Sequence, residues 1–258
     1  MSVSVWMPSF CHAGTIGRAI ASVLAQPVHE LLILDDNSTD GSLPLALAYA
    51  AEDSRVTVKV QPIKAHGVSW EPAAYREALT LTGQHIISLS ADDWLLPGTV
   101  DSVQRHVDDA VIFHDYLVCD HHQSKIISNV QCGMHRLDSV SFGPREAQMR
   151  IEQCQACESG IGSSIRSDCL RWLCDLEFWA MGPYADAIGY AAVAAFFGGC
   201  YSPHVAAVFT DNPGGYGARM RNDPDRRAGL LIEVDSFLKR TGLPPEVQRI
   251  IKEKRDIA

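Results

Sequence analysis

Two pairs of adjacent carboxylates stand in the first hundred residues: Asp35 and Asp36 in "LLILDDNSTDGS", and Asp92 and Asp93 in "ISLSADDWLLPG". Side by side, like charges repel unless a cation or a hydrogen-bond donor lies close. Each pair follows an apolar run, and a third run, "VSVWM", leads to Pro8, Ser9 and Phe10. If these runs are neighbouring parallel strands, one crevice at their carboxyl ends receives four carboxylates and an aromatic ring. Oxygen ligands suit a hard cation, and Mg²⁺ or Mn²⁺ commonly bridges such groups to substrate phosphates. Taken singly, an acid pair before a turn also serves to cap the next helix, and a lone Phe10 is more often core than stacking platform. The ordered set with its strand context is what points to a metal and phosphate site.

The elements that must position these residues alternate between two hydrophobic periods. "VSVWM" (3–7) reads as a strand, and "GTIGRAIASVLAQ" (14–26) places Ile16, Ala19, Ile20, Val23 and Leu24 on one helix face. The pattern repeats with "LLIL" (31–34), a helix over 43–52 opened by Pro44 after a Ser42 cap, "VTVKV" (56–60), a helix near 70–82 and "HIISLS" (85–90). Strands alternating with helices imply βαβ units and a mostly parallel sheet covered on both faces. After residue 96 a helix in "PGTVDSVQRHVDD", a strand in "AVIFHDYLVCD" and an antiparallel strand in "KIISNVQ" are expected. Residues 131–165 carry a poor, polar signal and read as loops. "ADAIGYAAVAAFFGG" (185–199) reads as a buried helix closed by Gly198 and Gly199, and "CYSPHVAAVF" as a last strand. From Pro224 the chain predicts two amphipathic helices around "TGLPPE", with Leu230, Leu231, Val234, Phe237 and Leu238 on one face. That face either packs back onto the domain or makes a homodimer contact.

The chain has 258 residues, 47% of them hydrophobic, enough for one large domain, and a formal charge of -9. An acidic balance argues against a nucleic-acid partner, whose phosphates are neutralised by Lys and Arg. No apolar run approaches a membrane span and the start "MSVSVWMPSF" lacks a secretion signal, so a soluble cytoplasmic protein is expected. The eight cysteines then read as reduced thiols packed as small hydrophobes. Cys154, Cys157, Cys169 and Cys174 offer four thiolates for a structural zinc, at an irregular spacing.

The three motifs, in this order and spacing, resemble the family 2 glycosyltransferases of the GT-A fold, over residues 3 to about 110 and faintly to about 210. The resemblance implies an α/β, Rossmann-like domain over 1–222, with a nucleotide-sugar half (1–110) and an acceptor half (111–222), followed by a helical extension (223–258). It puts Pro8 and Phe10 against the base and Asp36 on the base's polar edge, with Asp35 beside it. It puts Asp92 at the ribose or the metal and Asp93 on the metal, which is Mn²⁺ or Mg²⁺. The family's frequent D-x-D-D form reads "SADD" here, with Ser90 in place of the first acid. Family members open a late helix with Glu-Asp as the catalytic base; here that position reads Ala185-Asp186. Asp186 is then the base of an inverting transfer, with a helix N-cap as its ordinary alternative.

The resemblance further implies a nucleotide-diphosphate sugar donor, UDP-linked, and a hydroxyl acceptor of unknown kind, whether saccharide, lipid-linked or other. A non-catalytic nucleotide-binding module of the same fold is the competing reading, motivated by Ser90 and Ala185. Lys64 and His66 are candidates for reaching the diphosphate, His204 lies near a metal-binding His of some relatives, and His121 and His122 read as a turn. Arg219 and Arg221, beside Gly214, Gly215 and Gly217, suggest a mobile lid.

Overall fold

The computed structural model describes residues 2–61, 71–121, 125–130, 138–152 and 161–256. The first half builds as its periods dictate: β1 (Val3–Ser9), α1 (Ile16–Leu24), β2 (Glu30–Asp35), α2 (Ser42–Glu52), β3 (Val56–Val60), α3 (Glu71–Ala78) and β4 (His85–Ser88). β1 pairs in parallel with β2 on one side and β4 on the other, and β2 with β3. The strand order therefore reverses at β1. Alternate residues of a strand face opposite sides. Val5, Met7 and Ile33 meet Ile16, Ile20 and Val23 of α1, while Trp6, Leu32 and Leu34 join Ala74 and Ala78 of α3. Both faces are covered, which is why these strands read as nearly unbroken apolar runs.

The second half follows with β5 (Trp94–Leu95), α4 (Thr99–Arg105), β6 (Val111–Asp120), β7 (Ile126–Val130), β8 (Val140–Phe142), α5 (Pro144–Glu152), β9 (Ser164–Arg166) and α6 (Ser167–Asp175). A 3-10 segment, Phe178–Tyr184, then leads into α7 (Ala185–Phe197) and β10 (Gly199–Asp211). The sheet order is β3-β2-β1-β4-β9-β6-β10-β5, with β7 on β6 and β8 on β10. β9 runs against both β4 and β6, so β4, β6 and β10 point the same way as β1. The sheet is mostly parallel, as expected, and β7 is antiparallel to β6. The expected loop at 131–165 holds β8, α5 and β9. The strand expected over 85–90 stops at Ser88, and the helix near 70–82 is described over Glu71–Ala78.

Gly198 closes α7 at φ 78° and ψ -169°, a backbone region open essentially to glycine alone. A Cβ here would also lie 2.4 Å from the carbonyl oxygen of Phe142. Gly198→Ala is expected to destabilise the fold by about 3 kcal/mol, read as a lower urea midpoint at unchanged m-value; an unchanged midpoint would contradict the close approach of α7 to β8.

The chain ends with α8 (Tyr216–Asn222), α9 (Pro224–Thr241) and α10 (Pro245–Asp256). Asp223 caps α9, its Oδ1 accepting the N–H groups of Asp225 and Arg226. Leu230, Val234, Phe237 and Leu238 of α9 are buried in the same cluster as Met181, Tyr184 and Ile188. Burial of each contributes about 2 kcal/mol of transfer free energy. These four residues of the predicted face pack within the chain, while its fifth, Leu231, is half-buried. Among the described residues no helix is long and apolar enough to cross a membrane.

Two histidines are locked in the interior. His85 is held by the Ser164 hydroxyl and the Val107 carbonyl, His114 by the Gly162 carbonyl and the Ser102 hydroxyl. Burial pushes His85 down to about 4 and His114 down to about 3. Below an unfolded pKa near 6.5 the unfolded chain binds protons that the folded chain refuses, so stability falls with pH. A loss of about 1.4 kcal/mol per histidine per pH unit is expected from pH 6.5 toward 4. Chemical denaturation across that window checks it, and His85→Gln should remove about half of the slope contributed by the two.

Candidate functional site

The carboxyl ends of β1, β2 and β4 meet where the strand order reverses, the place an open parallel sheet offers a ligand. Ser9 pairs with Asp35, and the Asp36 N–H donates to the Ser9 carbonyl at 2.9 Å. The loops beyond are tied together by side chains. Asp35 is engaged by Ser38 through both oxygens, Oδ1 by the N–H at 2.8 Å and Oδ2 by the hydroxyl at 2.6 Å. Ser38 Oγ in turn accepts the Cys11 N–H at 2.8 Å. Asp40 accepts the Ala13 N–H and the Ser42 hydroxyl, and Ser42 Oγ accepts the His12 N–H at 2.7 Å. Asp35 therefore builds the turn, where the sequence also suggested a nucleoside contact. Ser42 lies inside α2 behind Gly41, and its hydroxyl joins the loops where a cap was expected.

Pro8 and Phe10 are half-buried at the end of β1, and Asp36 is buried beside them. Ser9 Oγ is buried with no hydrogen-bond partner among the described residues. An unsatisfied hydroxyl at a strand end costs free energy that a polar ligand or water recovers.

Asp92 and Asp93 follow β4 and are fixed by the far side of the sheet. Asp93 Oδ1 accepts the Thr210 N–H at 2.7 Å, and the Thr210 hydroxyl donates to the Asp92 carbonyl at 2.6 Å. Ser90, standing where the family often has an acid, donates its hydroxyl to Asp92 Oδ1 at 2.6 Å. His12 Nε2 lies 3.9 Å from Asp92 Oδ2, while His12 Nδ1 accepts the Phe10 N–H. Arg18 lies over the Trp94 ring, 3.6 Å from its centroid, and donates to the Asp92 carbonyl. Burial, then the charge of Asp92, pushes the Asp93 carboxyl well above the usual range.

This donor set fits a hard divalent cation. Two carboxylates supply oxygen ligands, a carboxylate keeps lone pairs free after one amide bond, and phosphates and water can complete an octahedron. Among the described residues no group of three His, Cys, Asp or Glu ligand atoms within 4.8 Å of one another includes Asp92 or Asp93, and the imidazole of His12 stands 3.9 Å from Asp92.

Asp186 lies in the first turn of α7, half-buried, with Oδ1 accepting the Ala187 N–H at 2.7 Å. The N-cap residue is Tyr184, and Asp186, two positions further on, satisfies one of the free N–H groups of the first turn. Gly198 turns the chain from α7 directly into β10. The 3-10 segment before α7 bends at Gly182, φ 56°, where a Cβ would come within 2.9 Å of Leu230 Cδ2. α9 thus bears on the segment that leads to Asp186.

Other candidates sort themselves by contact. His204 accepts or shares a hydrogen bond with Thr99 Oγ1 at 3.3 Å and stands edge-on to His114, a packing role. Arg219 and Arg221 sit on α8, whose Met220 is buried in the main core, so the expected loose lid is a docked helix here. His121 ends β6's strand as a turn residue. Cys169 and Cys174 are buried on α6, and burial pushes both thiols up to about 12. Lys64, His66, His122, Cys154 and Cys157 lie outside the described residues. His12 was a readable signal, a titratable residue in the loop ending β1. Thr210 and Arg18 gave none, since their roles arise across 117 and 74 residues of chain.

The fold and the strand-end acids define a GT-A architecture, and comparison with solved structures agrees. TarS 1-349 of S. aureus, in a complex with UDP-GlcNAc, superposes with a TM-score of 0.69 at 14% identity, over 98% of this chain and 71% of that one. The mannosyltransferase PcManGT of Pyrobaculum calidifontis, in complex with GDP-Man and Mn²⁺, gives 0.56 at 16% identity, over 97% of this chain and 68% of that one. The family described as glycosyl transferase family 2 matches residues 4–157, and the chain belongs to it. The succinoglycan biosynthesis protein ExoU of Rhizobium meliloti (strain 1021) is 36% identical over 88 residues. That match covers 33% of this chain and only about a quarter (25%) of the relative.

Proposed function

We propose that the protein transfers a sugar from a uridine-diphosphate donor to an acceptor hydroxyl, with inversion and with a divalent cation. The observation that carries this reading is the convergence of the β1, β2 and β4 ends on one crevice whose acid pair is anchored to Thr210 of β10. The UDP-GlcNAc complex of TarS supports the choice of donor, and the Mn²⁺ complex of PcManGT the choice of cation.

Pro8, Phe10 and Asp36 hold the nucleoside, and Asp92 and Asp93 hold the cation. When bound, that cation neutralises charge developing on the departing diphosphate. Asp186 removes the acceptor hydroxyl's proton as its oxygen attacks the anomeric carbon from the face opposite the diphosphate. One carbon–oxygen bond forms while the bond to the diphosphate breaks, so a single displacement inverts the anomeric centre.

Calorimetry tests the donor half directly. UDP should bind in Mn²⁺ or Mg²⁺ and lose affinity in chelator, with GDP weaker; no metal-dependent binding of any nucleoside diphosphate would end this reading. Ser90 and Ala185, each in place of a family acid, favour one alternative, a nucleotide-binding module without transfer. Slow metal-dependent release of UDP from UDP-sugars would discriminate, because only a working site hydrolyses its donor.

A further inference from the structure

At the opposite end of the sheet, near the amino ends of β6 and β10, three side chains of different chemistry converge. His106 closes α4, Asp109 lies in the turn before β6, and Cys200 is the second residue of β10. One ligand atom from each lies within 4.8 Å of the others. His106 Nδ1 is 3.9 Å from Asp109 Oδ2, and the same oxygen accepts the Ser141 hydroxyl at 2.9 Å. Ser141 is the register partner of Cys200 across β8 and β10. Cys200 is fully buried, while the His106 and Asp109 side chains keep 19% and 17% of their surface.

We propose that His106, Asp109 and Cys200 bind a zinc-type divalent cation, with water in the fourth position. Zinc accepts thiolate, imidazole and carboxylate at about 2.0–2.3 Å in a tetrahedron, and a modest closing of these three groups makes one. The charges suit the setting. A thiolate and a carboxylate cancel the dication, so with a neutral imidazole the buried cluster carries no net charge. Binding releases the Cys200 proton to solvent. Without a cation the two acids oppose each other: burial, then the charge of Asp109, pushes the Cys200 thiol up to about 12, and burial raises the Asp109 carboxyl. The Ser141 hydroxyl orients the carboxylate ligand, the part that an outer-shell donor plays in metal sites. The side formed by His106 and Asp109, whose side chains keep some exposed surface, admits the ion and its water. This site is soft where the Asp92–Asp93 crevice is hard, and it lies at the other end of the strands. It would clamp the turn after α4 to the β8–β10 pair.

Cobalt reports on thiolate ligation independently of activity. Titrating the full chain with Co²⁺, under a phosphine reductant, should give a near-ultraviolet sulfur-to-metal band with intense visible bands of tetrahedral cobalt, bleached by Zn²⁺. The band should survive Cys11→Ser and vanish in Cys200→Ser. His106→Ala and Asp109→Asn, at partly exposed positions, should weaken Co²⁺ binding by at least about tenfold. Absence of the band, its survival in Cys200→Ser, or unchanged affinity in both His106→Ala and Asp109→Asn would each overturn the proposal. The latter two variants decide the matter even if Cys200→Ser fails to fold.

Discussion

Asp93→Asn is expected to lower turnover at saturating donor by about a thousandfold, a loss of about 4 kcal/mol of transition-state stabilisation. The amide is nearly isosteric, and its oxygen can still accept the Thr210 N–H that Asp93 accepts at 2.7 Å. What disappears is the charge proposed to hold the cation. Burial and Asp92 already disfavour that charge in the metal-free protein, so the metal-free variant should melt no lower than the parent. Addition of Mn²⁺ and UDP should raise the melting temperature of the parent by mass action and leave that of the variant unmoved. An undiminished metal-dependent shift in the variant would remove Asp93 from the ligand set. A drop in the metal-free melting temperature would instead show that the Asp93 carboxyl supports the fold in a way the amide cannot.

Asp186→Asn should split binding from chemistry. Donor affinity stays at the parent value, and the transfer rate falls by about 10²- to 10⁴-fold, the range for loss of a positioned general base. The substitution keeps the shape of the side chain at the start of α7 and an oxygen able to accept the Ala187 N–H. A fall in kcat with unchanged donor affinity is the result expected of a group that acts only on the acceptor proton. Equal turnover would exclude the assignment. Because the position lies in the first helical turn, loss of its negative charge also removes a favourable interaction with the helix dipole, worth under about 1 kcal/mol, too little to mimic the catalytic loss.

The half of the molecule that holds the donor crevice was readable because its strands are buried on both faces and its helices on one. Long apolar runs and the period of Ile16, Ala19, Ile20 and Val23 follow directly from that. The rest is built of elements too short to show a period. β9 is three residues, "SIR", and β5 is two, "WL"; each is fixed by its neighbours in the sheet. On α6 the buried face is Cys169, Leu170, Leu173 and Cys174, a helical stripe that accords with the reading of these cysteines as packed thiols over that of half a zinc site. Within the crevice, the residue types at the strand ends were legible, but their division of labour was not. Asp35 and Asp36 look alike in sequence, and only the Ser38 hydrogen bonds tell the turn-builder from its neighbour. The cluster of His106, Asp109 and Cys200 was invisible because Cys200 stands 91 and 94 positions along the chain from Asp109 and His106.

β9 sits between β4 and β6 and runs against both, and this has a consequence for synthesis. A ribosome releases the chain from the amino end, and β1 to β4 can pair as soon as they emerge. β4 then presents an open edge, and β6 another, until residues 164–166 arrive to bridge them. For that interval the borders of β4 and β6 that β9 will join stay unpaired, each a template for a foreign strand, and the border of β6 that takes β10 waits longer still. The His85 and Ser164 side chains, one on each side of this seam, close together only when that short strand slots in.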